Sequence, residues 1–128
     1  MDNLTLSVQH LKPFVARHQL STMQEFAKGE EGKHFRELIR VFANRVTTMP
    51  KTYEQDGQGD QAIAHLHYFR GSWDWYVTER DMNSEQEQAF GLVKGDFTEL
   101  GYINLPELLK QQVELDLYFT SQSLSALR

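Results

Sequence analysis

The chain has 128 residues, 40% of them hydrophobic and 24% charged, and it contains no cysteine. That mix belongs to globular chains, and the length suffices for one self-supporting core without staples. The missing cysteine excludes disulfides, thiolate zinc sites, iron–sulfur clusters and cysteine nucleophiles, and it fits a reducing compartment.

The net charge of -5 has the wrong sign for a generic duplex binder, whose affinity comes largely from neutralising phosphates. Residues 1–50 carry seven basic and five acidic groups, net +2; residues 51–128 carry six basic and thirteen acidic groups, net -7. This split reads either as ordinary solubility or as an acidic face that steers a basic partner. The start, Met1-Asp2-Asn3-Leu4-Thr5, lacks a basic region followed by an apolar run, and no stretch approaches the roughly 20 apolar residues of a membrane helix. A soluble cytoplasmic protein with no membrane partner is the expectation.

In chain order, Leu4, Val8 and Leu11 have helical spacing, and Pro13, tolerated only in a first turn, blurs the boundary after them. Ser21 with Gln24, or Thr22 with Glu25, has the spacing of a capping box and predicts a helix start there. Gly29-Glu30-Glu31-Gly32 is a break. Phe35, Leu38, Ile39, Phe42 and Val46 then form one apolar helical stripe, with Lys33, Arg36, Glu37, Arg40 and Asn44 on the other side. Pro50 stops that helix by forcing Met49 into extended geometry.

Residues 54–60 form a polar, glycine-containing loop, and the period then changes from helical to extended. Residues 62–69 and 73–79 around Arg70-Gly71-Ser72 read as a hairpin, and residues 89–93 and 98–103 around Lys94-Gly95-Asp96 as another, with a polar loop over 80–87 between them. Asn104 and Glu107 have capping-box spacing and open a short helix with Pro106 in its first turn. Val113, Leu115, Leu117 and Phe119 alternate with Glu114, Asp116 and Tyr118, a half-buried strand over 113–119, and residues 120–128 read as a frayed tail. The fold class is α+β: two or three helices packed on one face of a four- or five-stranded, mainly antiparallel sheet, with a short helix before the last strand. Residues 1–128 form a single domain, with a helical front over 1–50 and a sheet-forming part over 51–119.

Chemistry-bearing constellations are few. His65 and His67 are two apart, which on a strand puts both on one face; with a third ligand such as Asp74 or Glu79 they would suit a metal, and otherwise they are packing histidines. Trp73-Asp74-Trp75-Tyr76, with Tyr68 and Phe69 across the turn, is an aromatic cluster that is either core or a hot-spot surface. Its strand places both tryptophans on one face and Asp74 and Tyr76 on the other. Asp74 and Glu79 have opposite parity, which separates them as an acid–base pair. Gly57 and Gly59, flanked by acids and followed by no lysine, make no phosphate loop, and no serine sits in a nucleophile elbow. No metal, cofactor or catalytic residue is assigned.

Met49-Pro50-Lys51-Thr52-Tyr53-Glu54-Gln55-Asp56, His65-Leu66-His67-Tyr68-Phe69, Asp74-Trp75-Tyr76-Val77-Thr78-Glu79, Phe90-Gly91-Leu92 and Glu99-Leu100-Gly101-Tyr102-Ile103 resemble an uncharacterised bacterial domain family. Its members are small accessory proteins, or domains of polyvalent proteins, from plasmids, prophages and conjugative elements. The resemblance spans about residues 49–119 and brings no activity or site residue with it. It implies a mobile-element cargo protein, for which antagonism of host defence, of anti-CRISPR or anti-restriction type, is the expected role.

Together these features predict a non-enzymatic interaction protein that blocks or regulates a host or element-encoded nucleic-acid-processing complex. The predicted partner surface comprises Trp73, Asp74, Trp75, Tyr76, Glu79, Asp81, Glu85 and Glu87, aromatic at its centre and acidic at its rim. The alternative is direct nucleic-acid binding or processing through the basic helix around Lys33, Arg36 and Arg40 and the aromatic hairpin, and a small hydrolase ranks third. A homodimer is compatible with either of the first two readings.

Overall fold

The computed structural model describes residues 3–128. Helices α1 (Asn3–Leu11), α2 (Arg17–Lys28) and α3 (Gly32–Thr48) precede the strands β1 (Ile63–Ala64), β2 (Leu66–Arg70), β3 (Trp73–Glu79), β4 (Ala89–Lys94) and β5 (Thr98–Ile103). Helix α4 (Leu105–Lys110), strands β6 (Glu114–Leu115) and β7 (Gln122–Ser123) and helix α5 (Leu124–Leu127) complete the chain. The protein is α+β.

The stripe on α3 does what its period dictates. Ile39, Phe42 and Val46 are buried and Phe35 and Leu38 partly so, with α1 and α2 packed against this helix. Its start is crowded. A Cβ on Gly32 would lie 2.5 Å from the Ala27 carbonyl oxygen, to which Arg36 Nη1 donates at 2.8 Å, so the guanidinium satisfies a carbonyl that the end of α2 leaves open. Met49 is extended, at ψ 157°, and α3 stops before Pro50.

Helix α2 departs from its capping-box expectation. It begins at Arg17, after Ala16, which makes no side-chain cap. The Thr22 hydroxyl instead donates back to the His18 carbonyl at 3.1 Å. Serine and threonine make such i−4 bonds inside helices as well as caps at helix starts, so the motif alone does not locate the end.

The main sheet has the order β5-β4-β3-β2-β6, every pair antiparallel, and β1 pairs separately with β7. Leu66, Tyr68, Trp75, Val77, Val93 and Ala89 face the helices and join their core. Tyr68 is wholly buried, and its hydroxyl donates to the Phe14 carbonyl at 2.5 Å, tying the sheet centre to the corner between α1 and α2. Burial pushes the phenol far above its ordinary range, so it stays protonated as a donor.

The last segment corrects two expectations. Only Glu114 and Leu115 pair with β2; at Asp116 the chain turns, its carboxylate accepting the Tyr118 N–H at 3.0 Å. Phe119 then crosses to the sheet's other face. Burial alternates from Val113 to Leu115, but Asp116 and Leu117 are both half-buried and Phe119 is buried by a turn rather than by a continuous strand. Nor is the tail frayed: β7 and α5 pack back on the outer face, where Ala62, Ala64, Leu92, Phe119 and Leu124 form a second apolar cluster. Arg45 Nη1, held over the Phe42 ring, donates to the Phe119 carbonyl at 2.8 Å and anchors this return.

Phe42→Ala should destabilise the fold by about 3–5 kcal/mol and Leu124→Ala by about 2–5 kcal/mol in denaturant unfolding. A Leu124 variant that unfolds with the wild type would return residues 120–128 to a loose tail.

Candidate functional site

The outer face of the sheet carries the candidate site, and a bulge in β3 builds it. Asp74, Trp75, Tyr76 and Val77 oppose Lys94, Val93, Leu92 and Gly91, but Glu79 opposes Phe90, leaving Thr78 as the additional residue. One inserted residue flips every later side chain to the other face. Glu79 would otherwise point among the helices; it points instead to the side of Phe90, Leu100 and Tyr102. Asp74 and Glu79 therefore share a face, contrary to their sequence parity. The close backbone approach requires a glycine partner: a Cβ on Gly91 would sit 1.9 Å from the Tyr76 carbonyl oxygen.

Residues 50–56 form the opposite wall. Arg80 N–H donates to the Pro50 carbonyl at 2.9 Å, Thr52 N–H donates to the Arg80 carbonyl at 2.8 Å, and the Thr52 hydroxyl donates to the Gln88 carbonyl at 2.7 Å. Buried Gln55 works as a bracket: its Nε2 donates to the carbonyls of Ile63 and Thr78 at 2.9 and 2.8 Å, and its Oε1 accepts the Ile63 N–H at 2.7 Å. Between these anchors Tyr53 is held at φ +79°, a left-handed conformation unusual for a non-glycine residue. Its backbone N–H donates to Glu79 Oε1, and its hydroxyl lies 2.6 Å from that of Tyr102. Phe90 meets Tyr102 edge-on at 5.5 Å.

These walls enclose a cleft of about 500 Å³, floored by Glu79 and rimmed by Tyr53, Tyr102 and Asp56. Glu79 is only 4% exposed. Burial pushes its carboxyl above the ordinary glutamate range; the Tyr53 N–H opposes that rise, the negative charges of Asp56 and Glu54 add to it, and the Thr78 hydroxyl also opposes it. The bond to Tyr53 raises the Tyr102 phenol. Among the described residues, no lysine or arginine lines the cleft or forms a salt bridge with Glu79.

A second polar group lies farther along the same face. His67 Nε2 contacts Asp74 Oδ1 at 2.7 Å and its Nδ1 contacts Asp116 Oδ2 at 3.1 Å, while the ring stacks on Tyr76 at 4.5 Å. His65 goes elsewhere, with Nδ1 3.0 Å from the Ser121 hydroxyl, and burial followed by the charge of Arg45 lowers its pKa. The break between β1 and β2 separates the two histidines, so the strand argument for a shared metal does not apply. Among the described residues, no group of three His, Cys, Asp or Glu side chains is arranged to hold a metal ion.

The residues expected to form one partner surface are distributed over several. Trp73 and Trp75 stack at 5.8 Å on the helix side of the sheet, where Trp75 joins the core and Trp73 lies over Gly95, which has no room for a Cβ. Asp74 and Tyr76 belong to the His67 group and Glu79 to the cleft. Asp81 is buried, its carboxylate accepting N–H bonds from Asn83 and Gln88, so it shapes its loop rather than presenting charge. Glu85 and Glu87 are exposed, and Glu85 borders a separate cleft with Lys12, Arg17 and Lys110.

Sequence reasoning missed Tyr53, Gln55 and Tyr102 as site residues. The alternation of Leu100 and Tyr102 on β5 was a legible signal that both share a face; the convergence of Tyr53 on Tyr102 comes from tertiary packing alone. No family model, curated protein or solved structure matches the chain.

A raised carboxyl penalises folding only when ionised. Glu79→Gln should therefore raise the melting temperature at about pH 7, and its advantage should shrink as the pH falls and vanish below about 4.3, where glutamate becomes largely protonated in the unfolded chain too. Melts of both proteins across this range check the sign; a constant offset would exclude ionisation as its cause.

Proposed function

We propose that the chain is a non-enzymatic accessory protein of a mobile element that binds and blocks a host or element-encoded nucleic-acid-processing protein, an anti-restriction or anti-CRISPR type of role. The observation that carries this reading is the coincidence of exposed rings and uncompensated carboxylates at the β5 end of the sheet. Tyr53, Tyr102 and Leu100 are exposed on the outer face with the exposed Glu54 and Asp56, and Phe97, 76% exposed, borders a shallow cleft with Asp96 and with Glu99, which lies on the helix side of β5. Desolvated aromatics supply affinity at an interface, while acidic rims steer and select a basic partner. Proteins that handle nucleic acid carry basic channels, so such a surface is complementary to them.

The sheet edges support the same location. The Gln19 amide bonds both backbone groups of Leu115 at 2.8 Å and so covers the edge at β6. β5 pairs with β4 on one side only. Four of the stretches that carry the family resemblance also supply cleft residues, including Tyr53, Glu79, Phe90 and Tyr102. These observations support placing the proposed partner surface on β5.

The nucleic-acid alternative draws on α3. Two of that helix's arginines, Arg36 and Arg45, already bond backbone carbonyls, while Lys33 and Arg40 are exposed.

The chain should leave single- and double-stranded DNA unshifted at about 50 mM salt. With a nucleic-acid-processing protein captured from a bacterial lysate, Glu54→Lys plus Asp56→Lys should slow association and flatten its salt dependence, while Tyr102→Ala should speed dissociation. DNA retardation with a steep salt slope, abolished by Lys33→Glu plus Arg40→Glu, would replace this reading with the alternative.

A further inference from the structure

We infer that the cleft over Glu79 is a receptor for one basic side chain, taking the guanidinium or ammonium end of an arginine or lysine presented by the partner protein. The inference rests on the proposed binding of a basic protein and specifies the contact at its centre. The cleft floor is a carboxylate buried within the fold, and among the described residues no cation pairs with it. Burying a charge without a counter-ion is unfavourable, and a cation entering from outside removes that penalty.

The walls match the remainder of such a side chain. Phe90, Leu100 and Leu124 offer apolar surface for an alkyl stem. Tyr53 and Tyr102 stand at the rim, where the π face of a phenol attracts a cation. Their mutual hydroxyl bond and the bracketed backbone of Tyr53 fix the opening in advance, which reduces the ordering cost of binding. Asp56, also at the rim, and neighbouring Glu54 add negative potential along the approach. A volume near 500 Å³ lies in the range of pockets that hold small ligands.

Charge logic separates this site from the His67 group on the same face. There, both ring nitrogens already face carboxylates. At Glu79 one oxygen takes the Tyr53 N–H, and among the described residues no cation meets the charge. Because a bound cation favours the ionised carboxylate, affinity must fall as Glu79 is protonated. The titratable groups facing it are Glu54, Tyr53 and Asp56 from the 50–59 wall and Tyr102 from β5. The negative charges of Asp56 and Glu54 push the Glu79 carboxyl up, and the bond to Tyr53 pushes the Tyr102 phenol up.

The test titrates the intact protein with N-acetyl-arginine amide and N-acetyl-lysine amide, and with N-acetyl-citrulline amide as the neutral isostere of arginine, following the amide resonances of Tyr53, Phe90 and Tyr102. At least one cation should bind roughly tenfold or more tighter than citrulline; the tighter of the two identifies the side chain. Glu79→Gln should remove that preference, Asp56→Asn should weaken it, and wild-type affinity should decline as the pH falls from about 7 toward the ordinary glutamate value of about 4.3. Equal binding of citrulline, absence of binding by either cation, or a folded Glu79→Gln protein that keeps the preference would each overturn the inference. The pH series on wild-type protein decides the matter if Glu79→Gln fails to fold. Partner capture reports independently on the proposed function, since a partner can dock on β5 without filling the cleft.

Discussion

The approach of Gly91 to the β3 backbone is the constraint on which the outer face depends. Only a residue without a Cβ can lie 1.9 Å, at its would-be Cβ, from the Tyr76 carbonyl oxygen, and this contact accompanies the insertion of Thr78 into β3. The inserted residue reverses the facing of Glu79. With regular pairing, the carboxylate would oppose Ala89 and enter the helix-packed core, where a charge without a partner is costly. With the bulge it reaches the cleft, where the Tyr53 N–H meets it. A single glycine thus joins the geometry of the sheet to the electrostatics of the site.

A second consequence concerns the segment between α3 and β1. Residues 50–62 have only one turn of 3-10 helix, Gly59–Gln61, and no long strand to hold them, yet they make a wall of the cleft. Their rigidity comes from side chains standing in for strand partners: Thr52 bonds the carbonyls of Arg80 and Gln88, and Gln55 holds both Ile63 and Thr78. The left-handed backbone of Tyr53 persists because the bonds on either side over-determine it. Gln19 plays a similar part at β6. This fold closes backbone valences with amide side chains, and it does so at β6 and over the 50–62 wall while leaving the outer edge of β5 without a further strand.

Much of this architecture was legible in the sequence. The stripe from Phe35 to Val46, the glycine break before α3, the stop at Pro50, the two hairpins and the Asn104 cap all follow from local chemistry, and the structure has each of them. What was not legible depends on contacts distant in sequence. The bulge leaves no local mark beyond Gly91, whose partner is unknowable before the strands are paired, so parity misplaced Glu79. The acidic loop read as one surface because burial cannot be seen from charge: Asp81 faces inward to serve Asn83 and Gln88. The C-terminal residues read as a frayed tail because Leu124 stands among serines and threonine, and its partners Ala62, just before β1, and Leu92, on β4, are distant in sequence. Tyr53 and Tyr102 were equally hidden, each an ordinary residue until the fold brings their hydroxyls together.

The outer face therefore carries two carboxylate groups with opposite electrostatic status. In the first, Asp74 and Asp116 flank His67, an aromatic stack with Tyr76 covers the ring, and Phe119 closes the side. Its polar valences are satisfied within the chain, so it serves to hold the turn after β6 against the sheet. In the second, Glu79 has hydrogen bonds but, among the described residues, no counter-charge, and the neighbouring Asp56 and Glu54 increase the imbalance. A fold selected for stability alone would relieve that imbalance with a lysine or arginine nearby, or with glutamine in place of Glu79. The chain instead surrounds the carboxylate with apolar and phenolic walls that a cationic group can enter. Uncompensated charge in a formed cleft is stability given up locally, and a partner that brought the missing cation, as proposed, would recover it.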